Sequence, residues 1–373
     1  MQLGGQEDKT MSRIKSLLFL LAFAAQLSLA STTVTYAVGT CKPNLSSFST
    51  IQGALDAMPA PSIVEVCPGT YNEQVVIGTA VTVEGISAGN STQSIIAPPP
   101  GGLVVNATND QGYPMAAQVF VQSSGNVNLT NLTIDGTGNN VTGNNVQVVG
   151  VFYLGSSGTL NHLAVQNQSG NGQGFGVWLQ GGIPVPSVTV ENSSLRGFDN
   201  AGIFTETNSS LSELDASIKG NYVSGVFQFG ARLHGGQTAS LSGNLVTTFW
   251  GIEIDGGGAS VSKNTVVNTS PPNYGGGFGV ALATGGVPVT SNAIYNYTGS
   301  EGLILNSSTA PVTGNTVTES GIAIDFEGTA GDNVHSNTIL GAGWGLINVS
   351  AGAAPIDTFY NVGTKTCTPW PNC

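Results

Sequence analysis

Charge is scarce in this chain of 373 residues, where Asp, Glu, Lys and Arg together reach 8%, against about a quarter in an ordinary soluble domain. What charge there is runs one way. The formal net charge is -12, which argues against nucleic acid and anionic membranes as partners. Long apolar runs are absent downstream of the N-terminus, so no later segment has the roughly 18 residues a spanning helix needs. Helix-length amphipathic runs are missing too, and strand-like alternation dominates. No CxxC pair and no histidine cluster occurs, which weakens a metal-centred reading of the four cysteines. A hydrophobic content of 40%, rich in Val and Ile, argues equally against disorder.

The N-terminus reads as an export signal. Arg13 and Lys15 form a basic start, Leu17 to Ala25 an apolar core, and Ser28 and Ala30 a small-x-small cleavage pattern. Residues 1–30 are therefore expected to be removed, with 1–10 ahead of the alternative start Met11. The apolar core is short for a membrane anchor. The mature chain is expected to be secreted or held at the cell surface, as a monomer with no membrane segment. Four cysteines suit an oxidising compartment. Local pairing as Cys41–Cys67 and Cys367–Cys373 closes the shortest loops, although four cysteines allow three connectivities.

The strongest signal is a repeat. LTNLTI (129–134), LNHLAV (160–165), VENSSL (190–195), IKGNYV (218–223) and LSGNLV (241–246) continue as VSKNTV, VTSNAI, VTGNTV and VHSNTI up to residue 339. Aligned on their turn residue, these give Asn131, His162, Asn192, Asn221, Asn244, Asn264, Asn292, Asn315 and Asn337, at intervals of 20 to 31 residues. A second phrase follows each, from GVFYL (150–154) and GVWLQ (176–180) to GIAID (321–325) and GLINV (345–349). Two short β-branched runs per unit, joined at an Asn and separated by a variable loop, describe a solenoid. Coils of this size stacked about 4.8 Å apart form a right-handed parallel β-helix. The aligned Asn suits a left-handed backbone, and its amide can bond from coil to coil. One β-helix domain is expected over 31–350, with a tail at 351–373.

The opening differs from the repeat. Around residues 44–62 a short amphipathic capping helix is expected, started by a Ser49–Gln52 capping box, with Ile51, Leu55 and Met58 over the end of the core. FSTIQGALDA and SIVEVCPGTYNEQVVI (48–77) resemble the opening of pectin methylesterases and other pectin-lyase-like β-helices. The later GN-x-V units resemble the parallel β-helix repeat family, including NosD-like solenoids. The resemblance covers most of 48–350 and implies the fold. It does not carry activity across: the methylesterase catalytic motifs cannot be placed here, no Gly-His-Gly occurs, and the single Arg-x-Lys lies in the export signal.

Strand alternation sorts the candidates for chemistry. Counting from the glycine of the second phrase, positions one and three are aliphatic coil after coil and should point inward. Positions two and four should face solvent. Position two runs Phe152, Trp178, Phe204, Arg232, Glu253; position four runs Leu154, Gln180, Glu206, His234, Asp255. Trp178 and Phe204, flanked by Phe152 and Gln180, read as a sugar-stacking platform. Glu206, Arg232, His234, Glu253 and Asp255 read as a polar site beside it. In a lyase, Arg232 or His234 would abstract a proton while calcium on Glu253 and Asp255 neutralised a uronate. In a hydrolase, two of the acids would act as proton donor and as nucleophile or base. The expected partner is polysaccharide, and the net charge makes neutral glycans easier than polyanions. A glycan-binding module without catalysis, or an adhesin-like scaffold whose charges form a salt-bridge ladder, fits the same residues.

Overall fold

In the computed structural model of the protein, residues 33–373 are described, apart from 88–92, 124, 144, 208–212, 236–237, 257, 270–275, 284–285, 307–309, 327–333, 349–359, 363–364 and 368–373. The expected export segment and the Cys367–Cys373 pairing lie outside the described residues. Three long parallel sheets make up the molecule. The first has 13 strands, running from Thr35–Val38 and Ile63–Val66 to Val334–His335; the second has 12, from Gly69–Asn72 to Tyr360–Val362. The third has 13, from Val75–Ile77 to Lys365–Cys367. From the second coil onward, each strand pairs in parallel with its counterparts one coil earlier and one coil later. This is a parallel β-helix.

The sequence builds it by alternation. In Ser187–Glu191, Val188 and Val190 are buried while their neighbours are not. Each such aliphatic contributes about 1.5–3 kcal/mol by leaving water, and stacking carries the column from coil to coil. Among the described residues no helix is long and apolar enough to cross a membrane.

The turn expected at a single Asn column separates into two columns. Left-handed backbone occurs at Asn131, His162, Asn192, Gly220, Gly243, Lys263, Ser291, Gly314 and Ser336. The amide ladder sits one residue later. Asn221, Asn244, Asn264, Asn292, Asn315 and Asn337 are buried, each Nδ2 donating to the next Oδ1 at 2.9–3.0 Å. In the first three coils that ladder position holds Leu132, Leu163 and Ser193, so Asn131, His162 and Asn192 serve the turn and not the ladder. A second slip occurs at GIAID, where Leu303 pairs with Ile324 and Ile304 with Asp325. Ala323 there takes the glycine place, and Asp325 is half-buried.

At the N-terminal end, Ile51–Leu55 forms a single helical turn with Ile51, Ala54 and Leu55 buried. Its cap is Thr50, whose Oγ1 accepts from Gly53 N at 3.1 Å, not the expected Ser49. Gln52 does not close a box, because its Oε1 accepts from Val76 N at 2.8 Å, and Glu73 accepts from Ile51 N and Gln52 N at 2.8 and 2.9 Å. A carboxylate at the positive end of the turn is the stronger acceptor. Met58 is 86% exposed and covers nothing. Cys41 and Cys67 are disulfide-bonded, with their Cα atoms 5.6 Å apart.

Candidate functional site

The third sheet positions the candidates. Its strands Gln147–Leu154, Gly174–Gln180, Ala201–Thr207, Phe229–Gly235 and Trp250–Asp255 lie side by side. Register aligns Phe152, Trp178, Phe204, Arg232 and Glu253 in one column, and Leu154, Gln180, Glu206, His234 and Asp255 in the other. Spacing from the glycine therefore placed every one of these residues on the outer face. The upstream half of that face is covered.

Phe152 is 0% exposed, Trp178 4%, Phe204 8%, and Gln180 and Glu206 1% each. With Met115, Ala117, Phe120, Phe175 and Phe229 the aromatics form a second apolar core outside the helix. Phe152 packs on Phe120 at 5.6 Å and on Trp178 at 6.2 Å, so it has no face left for a sugar. Gln180 is sealed with neither amide atom hydrogen-bonded. Trp178 and Phe204 do reach a cavity of about 330 Å³, together with Phe175, Glu206, Arg232 and His234.

The cover is a hairpin. Ala107–Thr108 pairs antiparallel with Pro114 and Met115 at the start of Pro114–Val121, and its tip, 109–113, lies over the sheet. Asn109 Oδ1 accepts from Gln111 N at 3.2 Å and from Tyr113 N at 2.8 Å, which shapes the tip. Gln111 Nε2 then donates to Glu206 Oε1 at 2.5 Å, and Asn109 Nδ2 to Oε2 at 3.4 Å. Gln111 and Asn109 were invisible as site residues in the sequence, since they belong to no repeat and meet Glu206 from more than 90 residues away.

A second aromatic column was also missed: Phe175, Phe229, Trp250 and Phe278, each the residue before the glycine. Strict alternation would turn it inward. The glycine drops out of the pairing and takes the core side, where a Cβ on Gly176 would meet Gly202 O at 2.4 Å. Phe175, just before the glycine, and Trp178, two residues after it, consequently share the outer face although their parities differ, as at a bulge. Phe175 lies 4.6 Å from Trp178. An aromatic immediately before five of the nine repeat glycines was the available signal.

At the open edge of the cavity the charges pair along the columns. His234 Nδ1 lies 2.8 Å from Asp255 Oδ2, and Arg232 Nε donates to Glu253 Oε1 at 3.1 Å. The Arg232 guanidinium also lies 4.8 Å from the centre of the Phe229 ring. Burial pushes the Glu206 carboxyl above its ordinary range and Asp110 adds to the rise, while His234 and the Asn109 amide oppose it. Burial likewise raises Glu253 against the pull of Arg232. Glu206 is thus a carboxyl suited to holding a proton, one rung from an imidazole that a carboxylate orients.

The donor set does not suit calcium, which takes six to eight oxygens. Glu253 and Asp255 are each committed to a basic partner, and no group of three or more metal-binding side chains occurs among the described residues.

No protein-family model matches the chain, and no curated protein matches it in sequence. Among solved structures it is similar to the lacto-N-biosidase of glycoside hydrolase family 136 from Eubacterium ramulus, with a TM-score of 0.56, 10% identity, and 95% of this chain covering 70% of that one. The A-module of the mannuronan C-5 epimerase AlgE4 from Azotobacter vinelandii gives 0.52 and 15%, over 83% of this chain and 95% of that one. A double mutant of the periplasmic alginate epimerase AlgG gives 0.51 and 16%, over 81% and 66%. At these identities the likeness concerns the fold.

Proposed function

We propose that this protein is an extracellular glycan-active β-helix whose site is the cavity over coils 147–255, and that it hydrolyses a neutral glycan. One observation carries the reading: a carboxyl biased toward its protonated form, Glu206, stands one rung from the His234–Asp255 pair beside the aromatic wall of Phe175, Trp178 and Phe204. Glu206 is the proton donor to the glycosidic oxygen. His234, held through Nδ1 by Asp255, activates water as the base. Glu206 and Asp255 lie two rungs apart, about 10 Å along the column, beyond the about 5–5.5 Å of a retaining pair, so Asp255 orients His234 and does not attack the sugar. The aromatic wall stacks the sugar.

Charge favours hydrolysis over a lyase reaction. Among the described residues the cavity is lined by one arginine and no lysine, and that arginine, Arg232, is already paired with Glu253. The relatives in fold include a biosidase and two uronan epimerases by name, so uronates belong in the test. Purified mature chain is incubated with neutral and uronate polysaccharides, and both new reducing ends and ultraviolet-absorbing unsaturated ends are measured. Reducing ends from a neutral glycan, lost about 100-fold or more in Glu206→Gln with the circular dichroism unchanged, support the proposal. Unsaturated ends would establish a lyase instead. No product, with Trp178→Ala also leaving glycan retention unchanged, would return the charges to a scaffold role.

A further inference from the structure

Burial along the two outward columns is one-sided. From Phe152 through Trp178 and Phe204, and from Gln180 to Glu206, exposure never exceeds 8%. One and two rungs further on, the side-chain exposures are 32% at Arg232, 18% at Glu253, 37% at His234 and 35% at Asp255. The site is walled upstream and open downstream, and the wall is the hairpin.

That wall is built to stay. Its tip crosses from the coil of Pro114–Val121 to that of Ala201–Thr207, three rungs or about 14 Å. The stem is anchored at two points. Gln74 Nε2 donates to Val104 O at 2.7 Å and its Oε1 accepts from Val104 N at 3.0 Å. Asn106 pairs both backbone groups of Ala117, at 2.9 and 3.0 Å. Met115 and Ala117, at the base, are 0% exposed within the outer apolar core. The tip then bonds to the carboxyl that does the chemistry.

The geometry points to a chain-end site: the cavity receives the terminal residue of a neutral glycan, and the rest of the chain leaves over the Arg232–Glu253 and His234–Asp255 pairs toward the later coils. This rests on the glycan reading above. A polymer bound through its interior needs an open groove on both sides of the proton donor, and on one side protein fills it. The hairpin tip supplies what a terminal sugar requires there. Asn109 and Gln111 from the tip, with Gln147, Gln173 and Asn200 from the sheet and its loops, line the cavity with uncharged amides. Amides donate and accept, which matches hydroxyl groups, and they carry no charge to offset that of a carboxylate.

The test is binding, so it does not depend on turnover. Calorimetry on the intact protein uses neutral gluco-, manno-, xylo-, galacto- and N-acetylhexosamine oligosaccharides of four to six residues. Each is supplied with free ends, with the non-reducing end O-methylated, and with the reducing end blocked as a methyl glycoside. The expected result is one series that binds, and in which blocking one particular end weakens binding by about tenfold or more. Replacing residues 109–113 by Gly-Gly should restore binding of the blocked chain to within about threefold; Gln111→Ala, a milder change, should recover part of it. Equal binding of free and blocked chains to the unaltered protein would overturn chain-end recognition and leave the glycan reading standing. So would a folded, shortened variant that still rejects the blocked chain. Failure of every oligosaccharide to bind the folded protein would overturn both.

Discussion

Glu206 shows how one residue can serve chemistry at the expense of the fold. Its carboxyl is 1% exposed, and burial raises its pKa. In the native state it therefore stays protonated at pH values where the unfolded chain, with an ordinary value of about 4.3, has already ionised. Protons bound to the native state exceed those on the unfolded chain in that window, so stability falls as pH rises from the unfolded value to the raised one. Glu206→Gln removes that loss. Its melting temperature should equal or exceed that of the unaltered protein at pH 7, with the difference shrinking below about pH 4, while hydrolysis disappears. Scanning calorimetry across pH tests this, and a large drop at pH 7 would mean the carboxylate is structural. The catalytic rate should likewise fall on the alkaline side as Glu206 loses its proton. Arg232 acts in the opposite sense. Arg232→Ala leaves the half-buried Glu253 without its partner and should cost about 1–2 kcal/mol in urea denaturation. Adding Glu253→Ala should recover most of that loss.

At the scale of the elements, the two turn columns make separable contributions. Asn264 Oδ1 accepts from Asn244 N and Nδ2 at 3.0 and 2.9 Å, and its Nδ2 donates to Leu241 O and Asn292 Oδ1, both at 3.0 Å. Asn264→Ala breaks all four bonds inside a dry turn and should cost about 3–5 kcal/mol, since stranded buried polar groups lose more than the bonds were worth. Asn131 only supplies a left-handed residue, so Asn131→Ala should cost about 1–2 kcal/mol. Equal losses in equilibrium denaturation would mean that the ladder adds nothing. The repeat was legible in the sequence, but its register was not. Asn is favoured both by a left-handed φ and by a stacked amide, and matching on residue type merged positions that differ by one. Parity misled at Phe175 for a related reason: the glycine beside it drops out of the pairing and resets the alternation.

From Thr35 onward the described residues are a stack in which each coil touches its neighbours, so stability is close to a sum of local terms. The Cys41–Cys67 bond spans 26 residues of the first coil, and a loop of that length stabilises by about 3 kcal/mol through the unfolded chain. Reducing it should lower hydrogen-exchange protection in the strands Thr35–Val38 and Ile63–Val66 and leave the coils around Asn264 unchanged. Loss of protection throughout would show that the first coil nucleates the rest.

The sequence by itself determined the solenoid, its inward columns, and the order Phe152, Trp178, Phe204, Arg232, Glu253 on one outer line with Gln180, Glu206, His234, Asp255 on the next. Those features are periodic, and periodicity needs nothing beyond the chain to be read. Only the tertiary structure decided which part of that face is a site. Among the described residues the hairpin at 103–117 has no counterpart in other coils, and its contacts with Glu206 join residues more than 90 positions apart. By excluding water it turns exposed aromatics into a second core and a solvated carboxylate into a buried acid. Burial is a property of what lies on top, and in this fold that comes from a different coil.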